Sequence, residues 1–214
     1  MDYAIEPGAD GVRFETGGFT QRVGPLAGDR RNDGADEVVY VVGGSGRVHV
    51  GGEQHELRPG TALFVARGTP WSIEGDARGV SVLVHDPEPS SGHTVLDLNA
   101  REKGAATAGR SFVLGPECAS ATQFVGLIPS GRAPDHFHTY DEVIYVLEGE
   151  GVLEIGGEQA PLRPGTCVHL PARLVHCLVN TGDADLRVLG VFRPAGSPAE
   201  AYYPDGTLAV VSEA

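Results

Sequence analysis

The sequence predicts an all-β protein made of two copies of one jelly-roll domain, and three observations predict it. The chain aligns with itself at one fixed offset, short apolar runs rich in β-branched residues recur along it, and no long stretch shows a 3.6-residue apolar period. The runs are separated by glycine and proline, 31 and 15 of them in 214 residues, which is the punctuation of short strands joined by tight turns.

Taken in order, the first copy occupies residues 1–85. Its run 38–42 ends at Gly43-Gly44-Ser45-Gly46, and the run 48–50 ends at Gly51-Gly52, as expected of hairpins. Runs 62–66 and 80–84 are further strands. Residues 86–108 read as a linker, because Asp86-Pro87-Glu88-Pro89-Ser90-Ser91-Gly92 and Arg101-Glu102-Lys103-Gly104-Ala105-Ala106 are polar or small, with one short strand at 94–98 between them. The second copy occupies 109–214, with strands expected at 143–147, 152–155, 167–170, 175–179 and 186–192. The tail after Phe192 has no counterpart in the first copy. It covers a barrel mouth or packs on the outside or on a partner subunit.

The repeat itself is close. Asp36-Glu37-Val38-Val39-Tyr40-Val41 matches Asp141-Glu142-Val143-Ile144-Tyr145-Val146, Gly51-Gly52-Glu53-Gln54 matches Gly156-Gly157-Glu158-Gln159, and Leu57-Arg58-Pro59-Gly60-Thr61 matches Leu162-Arg163-Pro164-Gly165-Thr166, with no gap.

Chemistry concentrates in the second copy. His136 and His138 stand at i and i+2, so on a strand both imidazoles point to one face, and Glu142 shares that parity. His176 closes the set from a second strand. Three imidazoles and a carboxylate suit one divalent first-row metal, Fe(II), Mn(II), Ni(II), Cu(II) or Zn(II), that keeps positions open for water or substrate. A single histidine on a strand is more often a hydrogen-bonded residue than a ligand, and His49, His55, His85 and His93 are read in that way. His169, on the strand leading to Pro171, either supports the site or faces outward, and its position favours the outside.

The spacing H-x-H-x3-E-x6-G from His136 to Gly149 resembles the first motif of the cupin superfamily, and Gly165, Pro171, His176 and Asn180, spaced G-x5-P-x4-H-x3-N, resemble the second. Two positions depart from the pattern: the glycine before the first His is one residue closer, at Gly131, and Arg173 stands where glycine is usual. The resemblance implies the double-stranded β-helix barrel, here a bicupin, and His136, His138, Glu142 and His176 as metal ligands.

Carried back by the repeat offset, those ligands become Arg31, Asp33, Glu37 and Trp71. Arginine stays protonated and indole has no lone pair to offer, so the first copy is expected to be metal-free. Its role is structural, or it holds a small anionic molecule on Arg31, Glu37 and Trp71. Arg31 and Glu37 pairing with one another is the plainer alternative.

A net charge of −13 argues against nucleic acid and anionic membranes as partners. Neither a signal peptide nor a spanning apolar run is present, so a cytoplasmic location is expected. Cys118, Cys167 and Cys177 are expected as reduced, buried thiols. Exposed strand edges favour a homodimer.

Cupins with three His and one Glu include dioxygenases, decarboxylases, isomerases and aminohydrolases, so the resemblance implies a metal-dependent enzyme acting on a small polar or acidic molecule, with a dioxygenase type favoured. In that reading Fe(II) or Mn(II) binds substrate and O₂, and Glu142 loosens or takes up a proton during turnover. The non-redox reading makes the metal a Lewis acid, in a decarboxylase, an isomerase or a ureidoglycine-aminohydrolase-like enzyme, which the chain resembles in layout rather than motif. The third reading is a non-catalytic small-molecule-binding protein, favoured by the lack of any general base apart from the ligands.

Overall fold

The structure is a computed structural model that describes residues 3–209. Among these residues the regular structure is antiparallel strand, apart from a three-residue 3₁₀ turn at Leu98–Ala100. No helix of the described residues is long and apolar enough to cross a membrane.

Contacts group the chain into two compact units. The first holds residues 9–101 and 115–123. Its six-stranded sheet runs His93–Asp97, Thr61–Val65, Ala35–Gly43, Arg78–His85, Phe19–Pro25, Gly11–Glu15, and its four-stranded sheet runs Gly28–Arg30, Trp71–Gly75, Gly46–Val50, Glu53–Leu57. Val39, Val41 and Leu63 from the one and Val48, Trp71 and Ile73 from the other meet in a single core. Ala35–Gly43 is central and buried along most of its length, which is why it reads as a continuous apolar run rather than an alternation.

The second unit holds residues 3–8, 102–114 and 124 onward. Its seven-stranded sheet runs Ala4–Ile5, Cys167–Leu170, Asp141–Glu148, Leu186–Arg193, Thr122–Ile128, Ser111–Leu114, Gly104–Ala105, and its three-stranded sheet Glu158–Leu162, Gly151–Ile155, Cys177–Asn180. Ile144, Val168, Leu170 and Val188 pack with Leu153, Leu162 and Leu178 from the smaller sheet.

The chain therefore forms two tandem all-β barrels. Residues 3–8, read with the first copy, pair instead with the second, Ala4 opposite Val168 and Ile5 opposite Cys167. The short strand inside the expected linker is His93–Asp97, an edge of the first barrel's sheet. Strands at Phe19–Pro25 and Trp71–Gly75 have no apolar run to announce them, because Gln21, Arg22 and Glu74 interrupt the pattern.

Candidate metal centre

The segment 131–138 is not a regular strand. Pro129 and Pro134 lack an N–H and hold extended backbone, so the segment pairs only at isolated points. Gly131 bridges Asn180, and His136 bridges His176. His136 donates its N–H to the His176 carbonyl at 3.1 Å and accepts from the His176 N–H at 2.9 Å. Directly opposed residues in an antiparallel pair share a face, so the two imidazoles lie side by side, with ring centroids 4.7 Å apart. His138 joins them at 5.1 and 5.4 Å. It is held by a stack of rings: His138 on Tyr140 at 4.6 Å, and Tyr140 on Phe192 at 3.8 Å.

Each Nδ1 has a main-chain acceptor. His136 Nδ1 lies 3.0 Å from the Pro134 carbonyl, His138 Nδ1 2.7 Å from the Glu200 carbonyl and His176 Nδ1 2.8 Å from the Leu174 carbonyl. A carbonyl only accepts, so each Nδ1 carries the proton and each Nε2 keeps a lone pair. Burial keeps the rings neutral: it lowers His136 to about 4 and His138 to about 3, with the Arg110 charge adding to the first and the His136 charge to the second. His176 is lowered in the same way. The three rings bring donor nitrogens within 4.8 Å of one another. Neutral, oriented imidazoles with free lone pairs are what a divalent first-row metal requires, so the donor set fits one.

Glu142 faces the same cavity from the strand Asp141–Glu148 but stands outside the three-imidazole cluster. Burial, followed by the neighbouring Asp141 carboxylate, raises its acid to about 8. At neutral pH it is a neutral carboxyl with no charge to draw it toward the rings. Gly190 makes room for it, since a Cβ there would stand 2.3 Å from Phe124 and 2.7 Å from Glu142 Oε1.

The cavity holds about 70 Å³ and has mostly apolar walls, including Phe112, Phe124, Ile128 and Leu178. Pro198 and Ala201 line it too, so the tail after Phe192 covers this cavity rather than packing only outside. Arg110 enters it from the turn that precedes Ser111–Leu114. Neither Arg110 nor the Glu200 carbonyl belongs to a motif, and nothing in the sequence marks them.

Other positions are settled by their contacts. Arg173 is exposed and does not line the cavity; its main chain takes φ +66° where a glycine would be at ease, and its N–H donates to the His138 carbonyl at 2.7 Å. His169 pairs with Asp141 at 2.8 Å. Cys177 turns away from the rings, its thiol 3.3 Å from the Ala133 carbonyl. The three cysteines are free, Cys167 and Cys177 buried and Cys118 half-buried.

In the first barrel Glu37 is buried, as Glu142 is, but its oxygens are taken: Arg30 donates at 2.6 Å, Asn32 and Ser81 each at 2.5 Å. The expected pairing of Arg31 with Glu37 is corrected here. Arg31 pairs with the exposed Asp33 at 2.8 Å, and the partner of Glu37 is Arg30, which also lies 5.2 Å over the Trp71 ring. Arg30 stands opposite Trp71 in the sheet register, so the cation beside Glu37 is displaced by one residue from the repeat offset. On the surface of the same barrel Glu53, His55 and His93 gather, with the Glu53 carboxylate 3.1 and 3.4 Å from the two imidazoles.

A model of the family described as "Cupin domain" matches residues 19–85 and 123–192. An L-ectoine synthase of Bordetella petrii is 32% identical over 90 residues, 41% of this chain and 67% of that protein. A quercetin 2,3-dioxygenase of Bacillus subtilis is 42% identical over 50 residues, 22% of this chain and 15% of that protein. The chain spans about half to two thirds of the length of other curated relatives it matches. Among solved structures, a putative glyoxylate-induced protein from Pseudomonas aeruginosa superposes with a TM-score of 0.71 at 19% identity, over 82% of this chain and 74% of that one. At that identity the likeness speaks to fold alone.

Proposed function

This chain belongs to the cupin family, and from that premise we propose that its second barrel is a metal-dependent enzyme acting on a small polar or acidic organic molecule, of the dioxygenase type. The observation that carries the reading is the set of three neutral imidazoles whose Nδ1 protons are committed to main-chain carbonyls and whose nitrogens converge. His136, His138 and His176 would hold the metal, with Glu142 as the fourth donor once its proton has left. A bound Fe(II) or Mn(II) would supply a Lewis acid and a centre for O₂ chemistry.

The remaining work falls to the chain's own residues. The Tyr140 and Phe192 stack fixes His138, the apolar walls exclude bulk water, and Glu142 can accept or release a proton near neutral pH. Apart from the ring nitrogens, the titratable groups among the described lining residues are Arg110, Tyr140 and Glu142. Among the described residues no dedicated acid–base pair lines the cavity besides these groups, which favours chemistry centred on the metal over protein-borne proton transfer. The match to a quercetin 2,3-dioxygenase supports the oxygenase type. The match to an L-ectoine synthase favours a second reading, turnover without O₂.

The test is metal analysis of the purified chain, then reloading with Fe(II) or Mn(II) and measurement of O₂ uptake against a panel of small acids and enols. O₂ uptake that depends on the metal is expected. Turnover without O₂ would select the second reading, and ligand binding with no turnover a non-catalytic protein.

A further inference from the structure

Among the described residues Arg110 is the one Lys or Arg that lines the cavity of the second barrel, and a strained turn puts it there. It follows a tight turn in which Ala108 and Gly109 both take left-handed backbone, φ +57° and +71°, closed by hydrogen bonds from the Arg110 N–H to the Thr107 carbonyl and from the Ala106 N–H to the Arg110 carbonyl. A left-handed alanine carries strain, so the turn is held by its surroundings. The guanidinium it presents is half-buried at the cavity wall, and that burial opposes its charge.

A cation withdrawn even in part from water is costly unless an anion or several acceptors meet it. Arg110 has five N–H donors. One Nη donates to the Leu178 carbonyl at 3.0 Å, another lies 3.4 Å from His136 Nε2, and the Cys177 thiol is close by. Among the described residues no carboxylate oxygen stands within ion-pair distance of it. The contact to His136 is long, and it falls on the lone pair that a metal would take. A divalent cation on the imidazoles would add more positive charge to a cavity already holding a guanidinium without an ion-paired carboxylate among the described residues.

We propose that Arg110 anchors the carboxylate of the substrate in this cavity, and that the substrate is a small monocarboxylic acid with a short apolar body. The proposal rests on the metal-enzyme reading above and narrows its substrate class. Arginine's planar fork fits a carboxylate through two parallel hydrogen bonds. Size follows from the cavity, whose volume of about 70 Å³ suits a small molecule rather than an extended one. Phe112, Phe124, Ile128 and Leu178 give its body an apolar wall, which disfavours a second charge at the far end.

Butanoate and butanamide test this, being alike in size and differing in charge. Binding to the full chain is followed by ligand-observed NMR, with the metal content of every sample measured, in metal-loaded and metal-free protein, for the unmodified chain and for Arg110→Met and Arg110→Gln. The unmodified protein should prefer butanoate by at least about tenfold. Both variants should lose that preference while holding the metal as the unmodified chain does. Arg110→Gln keeps a donor for the Leu178 carbonyl and so decides the matter if the Met variant does not fold. Equal binding of the two probes by the unmodified chain, no binding of butanoate at millimolar concentration, or an unchanged preference in either folded variant would overturn the proposal. Failure of the metal reading is seen separately: the unmodified chain would hold no metal while the butanoate preference, read in the metal-free sample, still rose or fell with Arg110.

Discussion

His136 and His176 exchange both main-chain hydrogen bonds, at 3.1 and 2.9 Å, so the backbone fixes the spacing of two imidazoles before any metal is bound. His138 has no such pairing and depends on Tyr140 and the Glu200 carbonyl. His138→Ala should therefore keep the barrel and lower metal content and metal-dependent thermal stability together, since binding to the folded state alone adds to stability. Elemental analysis beside melting curves checks this. One metal per chain is expected in the unmodified protein, unaffected by His93→Ala; a second equivalent that disappears in His93→Ala would belong to the Glu53 group.

Metal binding should also release protons. With its acid raised to about 8, Glu142 is mostly protonated at pH 7, and a carboxyl must lose that proton to become a ligand. Titration with Mn(II) in weak buffer should liberate about one proton per metal, and Glu142→Gln should liberate close to none. Equal release by both would exclude Glu142 as a ligand.

The metal-free protein should be most stable in mildly acidic solution. His136 and His138 titrate near 4 and 3 in the fold, below the ordinary 6.5, so their share of stability is full above about 6.5 and is lost as pH falls toward those values. Glu142 runs the other way: raised from 4.5 to about 8, its share is full below about 4.5 and is lost as pH rises through about 8. The two oppose one another between 4.5 and 6.5. Above 6.5 only the Glu142 loss remains, and urea unfolding from pH 6.5 to 8.5 should show stability falling in the unmodified chain and flat in Glu142→Gln.

In the first barrel, neighbouring arginines should differ sharply. Arg30→Ala leaves the buried Glu37 carboxylate without its cation and should cost about 3 kcal/mol or more. Arg31→Ala removes an exposed pair with Asp33 and should cost less than about 1 kcal/mol. Denaturant melts of the two variants test the assignment, and equal costs would contradict it.

Arg173 adopts a left-handed backbone that a side chain resists. Arg173→Gly relieves that strain at some cost in chain entropy, and should stabilise the protein by up to about 1 kcal/mol, while Arg173→Val should destabilise it. A destabilised glycine variant would mean that the Arg173 side chain contributes more than its backbone costs.

The barrels and the three imidazoles were legible in the sequence because strand parity and the repeat are local signals. Side chains of regular strands obey a period of two, and His136, His138 and Glu142 keep it even though the segment is held by isolated bridges. What the sequence does not mark depends on distant neighbours. Arg110 lies just past the expected linker 86–108, among small residues that carry no strand or motif signal, and only the folded turn aims it inward. Arg30 was masked by Arg31, because counting by the repeat offset assumes that both copies keep the same register at a short edge strand. The N-terminal strand Ala4–Ile5 carries no mark of which barrel it will join.

The hold of the Glu200 carbonyl on His138 also has a meaning in time. The two residues are 62 positions apart, so a ribosome adding about 5 to 20 residues per second exposes His138 several seconds before its acceptor exists. During that interval the ring can turn over and offer either nitrogen. The oriented set of imidazoles is thus a property of the finished chain and not of the growing one, and a product cut short before Glu200 would carry every histidine of the site without the contact that orients His138.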